Sequence, residues 1–279
     1  ILKMNFIIKW GSGSLVPGAV VAPYNPYYYN YGWDKQGMTK VFLGDSAMTA
    51  APLPGLNFRN KPMNSWAHQP ANVELGFDAP DKRKFHSAVG WIDPITNRPK
   101  MTIFGGEDGG VRKNDVHTLD LIKGAWSGEV TTSGARPSQR TAHSAVSWID
   151  AGGHPKMTIF GGIDDVGHKN DLHTLNLVTG EWSGEVMTSG FPPSARNAHS
   201  AVSWINTIST PDTPMMTVFG GSASAAGTTT ALNDMYVLNL TTGVWSVAPQ
   251  YQQDLPPVRY GHSAVSWIDA GGHPKMTVF

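Results

Sequence analysis

HSAVSWIDAGGHPKMT occupies residues 143–158 and returns, letter for letter, at 262–277. A stretch written twice is the mark of an internally repeated architecture, and the spacing of its landmarks extends the repeat beyond the two identical copies. Trp91, Trp148, Trp204 and Trp267 each stand five residues after a His, namely His86, His143, His199 and His262. Each Trp is followed by an apolar run: MTIF (101–104), MTIF (157–160), MTVF (216–219) and MTVF (276–279). The first three runs continue into Gly-Gly at 105–106, 161–162 and 220–221. NDVHTLDL (114–121), NDLHTLNL (170–177) and NDMYVLNL (233–240) come next, and the units close on Trp126, Trp182 and Trp245.

Each unit reads as four short strands. HSAVSWI is strand A, KMTIF strand B, LHTLNL strand C, and the segment around the second Trp strand D. All are rich in β-branched and aromatic residues and bounded by Gly, Pro, Asn and Asp. The diglycine after strand B permits positive φ or close backbone approach. VTGEW (178–182) and TTGVW (241–245) place Gly for a tight C-to-D hairpin.

Composition agrees. Of 279 residues, 15% are charged, and the chain carries 31 Gly, 20 Pro and 10 Trp, a mix that suits short strands and many turns. Twenty-one basic residues balance twenty-one acidic ones, so no global attraction to nucleic acid or an anionic membrane is implied. The absence of Cys excludes disulfides, thiolate zinc sites and a thiol nucleophile. No apolar run approaches the length of a membrane-spanning helix.

A diglycine after strand B, an apolar strand C and a Trp at fixed offset resemble the kelch repeat, whose period is about 50 residues. The lead-in PPSARNAHSAV (192–202) is similar to the subset of kelch proteins with a P-x-x-R and R-x-x-H-S approach. The resemblance is strong over 83–279 and weak over the first 80 residues. It implies an all-β chain forming one kelch-type β-propeller, with four-stranded antiparallel blades around a central channel. The expected divisions are blades at 83–130, 140–186 and 196–248, with a diverged blade at 14–75. Residues 1–13, as strands C and D, and 259–279, as strands A and B, would close a composite blade. That makes about five blades, or part of a six-bladed ring in a longer chain.

Three groups are candidate sites. Arg83, Arg140, Arg196 and Arg259 each stand three residues before the repeated His. The resemblance makes strand A innermost, which would gather these guanidinium forks at one channel mouth to hold a protein partner, an acidic peptide or a small anion. The competing reading is that each Arg ties one blade to the next, since binding sites usually break symmetry and structural residues repeat. The B–C loops EDGGVRK (107–113), IDDVGHK (163–169) and SASAAGTTTAL (222–232) differ between units that otherwise agree, and Asp108, Arg112, Asp164, Asp165 and His168 are their candidates. YNPYYYNYGW (24–33), with Tyr27, Tyr28 and Tyr29, offers rigid aromatic contact area to a protein or a sugar.

HExxH, P-loop and GxSxG patterns are absent, and no metal site, cofactor or catalytic residue is assigned. The expectation is a non-catalytic protein-binding scaffold. A sugar- or anion-processing, epimerase-like enzyme and a purely architectural subunit of a large complex are the alternatives.

Overall fold

The computed structural model describes residues 79–208, 210–225, 228–248 and 256–279, together with three two-residue strands nearer the start. These three are β1 (Asn5–Phe6), β2 (Lys40–Val41) and β3 (Met48–Thr49). β1 lies parallel to Val89 and Gly90, and β2 pairs with β3. Apart from these pairs, the expected diverged blade at 14–75 and the closing strands at 1–13 lie outside the described residues.

Every described element is a strand. The first blade is β4 (Ser87–Asp93), β5 (Arg98–Asp108), β6 (Val111–Asp120) and β7 (Ala125–Glu129), joined as an antiparallel meander. The second is β8 (Ser144–Ile149), β9 (Pro155–Ile163), β10 (His168–Asn176) and β11 (Trp182–Glu185). After the linker strand β12 (Ser189–Gly190), the third is β13 (Ser200–Asn206), β14 (Thr213–Ala225), β15 (Thr228–Asn239) and β16 (Val244–Val247). β17 (Ala264–Ile268) and β18 (Pro274–Val278) form the inner hairpin of a fourth. Strands A to D read from the repeat are these strands in order, and the arrangement is that of a β-propeller.

Blades pack face to face, which is why strands A and B of the first two blades are buried almost continuously instead of on alternate residues. Between the first and second blades, Val89, Phe104, Val116, Met157, Ile159 and Trp182 form one core. Between the second and third, Val146, Phe160, Leu172, Met216, Leu238 and Trp245 repeat it. Phe104 meets Trp182 edge-on at 5.2 Å, and Phe160 meets Trp245 at 5.1 Å. The Trp that closes the second and the third unit is therefore a plug for the blade before it, and such a ring contact adds about 0.5–1.5 kcal/mol beyond area burial.

A second set of contacts stitches the strands within a blade. The indole N–H of Trp91, Trp148, Trp204 and Trp267 donates to Thr102, Thr158, Thr217 and Thr277 of strand B, at 2.8–2.9 Å. In the first two blades the relay continues at 2.9 Å to Thr118 and Thr174 of strand C. The Thr of MTIF is thus the partner that a largely buried indole requires.

The linkers cover the outer edges. β12 runs parallel to β16, and Ser133 bridges Glu181 in the same way one blade earlier. The outer edges of the second and third blades are thereby capped by the segments leading into those same blades, which removes an exposed edge. The approach is close enough to require glycine. A Cβ on Gly134 (φ +74°) would lie 2.2 Å from the Trp182 carbonyl oxygen.

Candidate functional site

The lead-in to strand A, the diglycine and the B–C loop meet at one end of each blade. Arg140 organises that junction. Its backbone N–H donates to the Lys113 carbonyl (3.0 Å), and its own carbonyl accepts from Gly106 N–H (3.0 Å), so its main chain belongs to the preceding blade. Its side chain turns into the following one. Nη1 and Nη2 grip both oxygens of Asp171 at 2.6 and 2.7 Å, Nη1 also reaches the Gly161 carbonyl, and Nη2 and Nε bond Ser138. All five guanidinium donors are engaged, and Arg140 is 1% exposed. Arg196 repeats the arrangement with Asp234, Gly220 and Ser194, and is fully buried. Arg83 grips Asp115 at 2.6 and 2.8 Å and donates to the Gly105 carbonyl. Arg259 is half-buried, and its Nε donates to the Pro257 carbonyl.

Two of these carboxylates, those of Asp115 and Asp171, titrate low. Burial works to raise the Asp115 pKa, but the bonds from Arg83 and His117 and their charges outweigh it and hold the group at about 2. Asp171 is driven lower still by Arg140 and His173 against the same burial cost. In the third blade Tyr236 stands where the others have His, and the Arg196 guanidinium lies 5.4 Å from its ring centre.

The repeated His-Ser pair is a clasp between neighbours. His143 Nε2 meets Ser87 Oγ at 2.7 Å, His199 meets Ser144, and His262 meets Ser200, each at the same distance. The same rings pack edge-on against Phe104, Phe160 and Phe219. A Cβ on Gly105 would lie 3.2 Å from the His143 ring and 3.0 Å from the Arg140 carbonyl, which is why the first glycine of the pair is kept bare. Burial, then the Arg140 charge, depress the His143 pKa to about 3, so the ring is neutral. The Asn of the Asn-Asp pair is used as well: Asn114 and Asn233 donate to the carbonyls of Pro137 and Pro256 in the next lead-in.

The residue before each repeated His is left-handed: Phe85, Ala142 and Ala198 have φ of 57°, 56° and 51°, and Gly261 takes the position in the fourth unit. Their main chains join in series. Ala142 N–H donates to the Phe85 carbonyl, Ala198 to Ala142, and Gly261 to Ala198, at 2.8–2.9 Å. This backbone belt runs from blade to blade and holds three non-glycine residues in a costly conformation.

The B–C loops behave differently. Arg112 pairs with Asp165 of the next blade at 2.5 Å, and Asp165 is 77% exposed. Asp164 turns inward; burial raises its pKa, but Lys169 at 2.8 Å, Ser138 and the amides of Val166 and Gly167 hold it at about 2. Asp108 and His168 are half-exposed on the loop flanks. Lys84 pairs with Glu107, and Lys113 with Asp81. Tyr27, Tyr28 and Tyr29 lie outside the described residues. Among the described residues, no three His, Asp or Glu side chains converge as a metal ion would require.

Sequence reasoning found the Arg and His of this junction but not their partners. Ser87, Ser144, Ser200, Asp115, Asp171 and Asp234 all sit in dipeptides, HS and ND, that recur in every full unit. Recurrence at matching positions was the signal.

Residues 56–271 match the family described as the KLHDC2/KLHL20/DRC7 Kelch-repeats domain. The chain is similar to acyl-CoA-binding domain-containing protein 4 of Arabidopsis thaliana, with 30% identity over 62% of this chain and 33% of that protein. It is similar to human Rab9 effector protein with kelch motifs, with 31% identity over 68% of this chain and 47% of that protein. Kelch domain-containing protein 1 of Mus musculus is 33% identical over 47% of this chain and 29% of its own length. The chain thus spans about a third to a half of the curated relatives it matches.

Proposed function

This chain belongs to the kelch-repeat family, whose domains serve in general as protein-interaction scaffolds, and on that premise we propose that it holds a protein partner on the face built from the B–C loops and lead-ins, without catalysis of its own. The observation that carries this reading is a division of labour. The polar residues that repeat are spent internally, on the Arg–Asp forks and His–Ser clasps. The residues that vary from blade to blade stand at the exposed end of the same blades. A rigid frame with variable loops is the usual division in a binding module. The name of the human relative as a Rab9 effector is in keeping with a protein ligand.

An acidic peptide or small anion would have to displace Asp171 or Asp234 to reach Arg140 or Arg196, so the partner is held by the loops instead. The cavity at the channel mouth is lined by His86, His143, His199 and the serines that follow them, and of these His143, His199 and the three serines are already engaged in clasps. The test is affinity purification with the wild-type chain, with Arg112→Ala/Asp165→Ala, and with the 222–232 loop replaced by EDGGVRK. A partner retained by wild type and lost with the loop variants supports the reading. A partner lost instead when the A–B turn 150–154 on the opposite face is exchanged overturns it.

A further inference from the structure

The third B–C hairpin departs from its counterparts. Beyond the diglycine bulge β5 and β6 hold three residue pairs, and β9 and β10 hold two. β14 and β15 hold five, from Gly221–Leu232 to Ala225–Thr228. β13 stops pairing at Phe219 and β16 at Tyr236, so the extension stands above the rest of its sheet. Its composition also differs. EDGGVRK and IDDVGHK are charged, whereas SASAAGTTTAL carries no charge, no Pro, and three consecutive Thr.

Hydrogen-bond alternation fixes which backbone groups of this extension face outward. Asn197 and Ser222 exchange N–H and carbonyl bonds at 2.9 Å on the outer side of β14. Ser222 therefore points away from β15, and its partner Ala231 points away from β14. Two residues on, Ser224 and Thr229 have the same orientation. The N–H and carbonyl groups of Thr229 and Ala231 thus face outward from β15. No described strand pairs with β15 on that side between Thr228 and Ala231. Natural edges are ordinarily blunted by Lys, Pro, a bulge or a covering segment. Here the stretch has β-forming Thr side chains, and Thr228, Thr229 and Thr230 are exposed.

We infer that Thr228–Ala231 is an edge onto which an extended, uncharged segment of the protein partner adds as a further strand. The inference rests on the loop-face reading above and specifies its chemistry. Main-chain bonds to Thr229 and Ala231 supply affinity, and the alternating side chains of the added strand supply selectivity. A second copy is the less suitable occupant. Four residues of edge fall well short of the roughly 800 Å² per partner that a stable dimer buries, but they suffice to seat a peptide strand.

The experiment uses phage-displayed random dodecapeptides selected on the full chain, resynthesised and titrated by calorimetry against three variants. Thr229→Pro removes an outward N–H while leaving the β14–β15 ladder intact, Thr229→Val keeps the backbone, and Arg112→Ala disturbs another loop of the same face. The expected result is uncharged peptides that weaken about tenfold or more with Thr229→Pro, change less than about twofold with Thr229→Val, and slow deuterium exchange at Thr229 and Ala231. A Thr228→Lys/Thr230→Lys variant gives the same loss if the proline variant does not fold. Peptides lost with Arg112→Ala but indifferent to Thr229→Pro overturn strand addition and leave the loop-face reading standing. Peptides that bind away from this face overturn both. Self-association of the wild-type chain that Thr229→Pro abolishes assigns the edge to a second copy and overturns the inference.

Discussion

Replacing Arg140 with Ala separates the two readings of the arginine ring. The side chain is 1% exposed, with five engaged donors, two of them on the Asp171 carboxylate at 2.6 and 2.7 Å. Removing one partner of a buried ion pair costs about 3–5 kcal/mol, because the other is left without compensation. Two features place Arg140→Ala at the lower end. Asp171 keeps its contact with His173 at 3.1 Å, and its side chain is 17% exposed, so water can reach it. The expectation is a loss of about 3 kcal/mol, which lowers Tm by roughly 6–12 °C in a domain of this size. Arg140→Lys recovers less than half of this, since an ammonium cannot span both carboxylate oxygens and the Gly161 carbonyl. Arg136→Ala is the control: its Glu129 contact is 3.4 Å long and exposed, so its change stays within about 0.5 kcal/mol. Urea denaturation followed by Trp fluorescence reads all three. An Arg140→Ala chain within about 1 kcal/mol of wild type, especially one that has lost binding to an acidic peptide, refutes the argument and makes the arginines a ligand site.

Stability should fall with acid in two stages. The His143 pKa of about 3 lies below its ordinary value of 6.5, so the unfolded chain binds a proton that the folded chain refuses, and stability present above pH 6.5 is lost as pH falls toward 3. Asp115 and Asp164, held at about 2, add a further loss below pH 4. His143→Gln should take up about one proton fewer on unfolding at pH 5, measured from the slope of stability against pH, and an unchanged slope would show that the ring is already charged in the fold. In the strand relay, Thr158→Val strands the Trp148 indole N–H and should cost about 1–3 kcal/mol. Thr174→Val should be nearly neutral, because Val237 occupies that position in the third blade while Trp204 still bonds Thr217; equal losses from the two variants would show that the second hydroxyl carries the relay.

The strands were legible because periodic landmarks fix them. The four strands of each described blade follow from the spacing of His, Trp, Gly-Gly and Trp, since each landmark serves the same packing need in every blade. The meaning of the arginines was less accessible. A guanidinium three residues before a His is equally suited to a ligand and to a neighbour, and the neighbour is favoured by the placement of Asp171, 31 residues away in the sequence. The belt through Phe85, Ala142, Ala198 and Gly261 left almost no trace, because Ala gives no hint of a positive φ and only Gly261 hints at one. The projecting hairpin was visible as an odd loop, but the edge that no described strand pairs with depends on where β13 and β16 stop, which composition does not encode.

The inter-blade clasps have a direction. Ser87 is clasped by His143, the Lys113 carbonyl receives from Arg140, and Trp182 plugs against Phe104, so each unit presents sockets on its trailing side and pins on its leading side. Such a unit is a polar building block in the sense of a railway carriage, with different couplings at its two ends. A unit built this way couples between any two others through the same interface, and the identical HSAVSWIDAGGHPKMT at 143–158 and 262–277 serves that interface in two different blades. The same polarity means that damage to one unit's pins is felt in the blade before it, so mutations in a loop-bearing blade are buffered on one side and transmitted on the other.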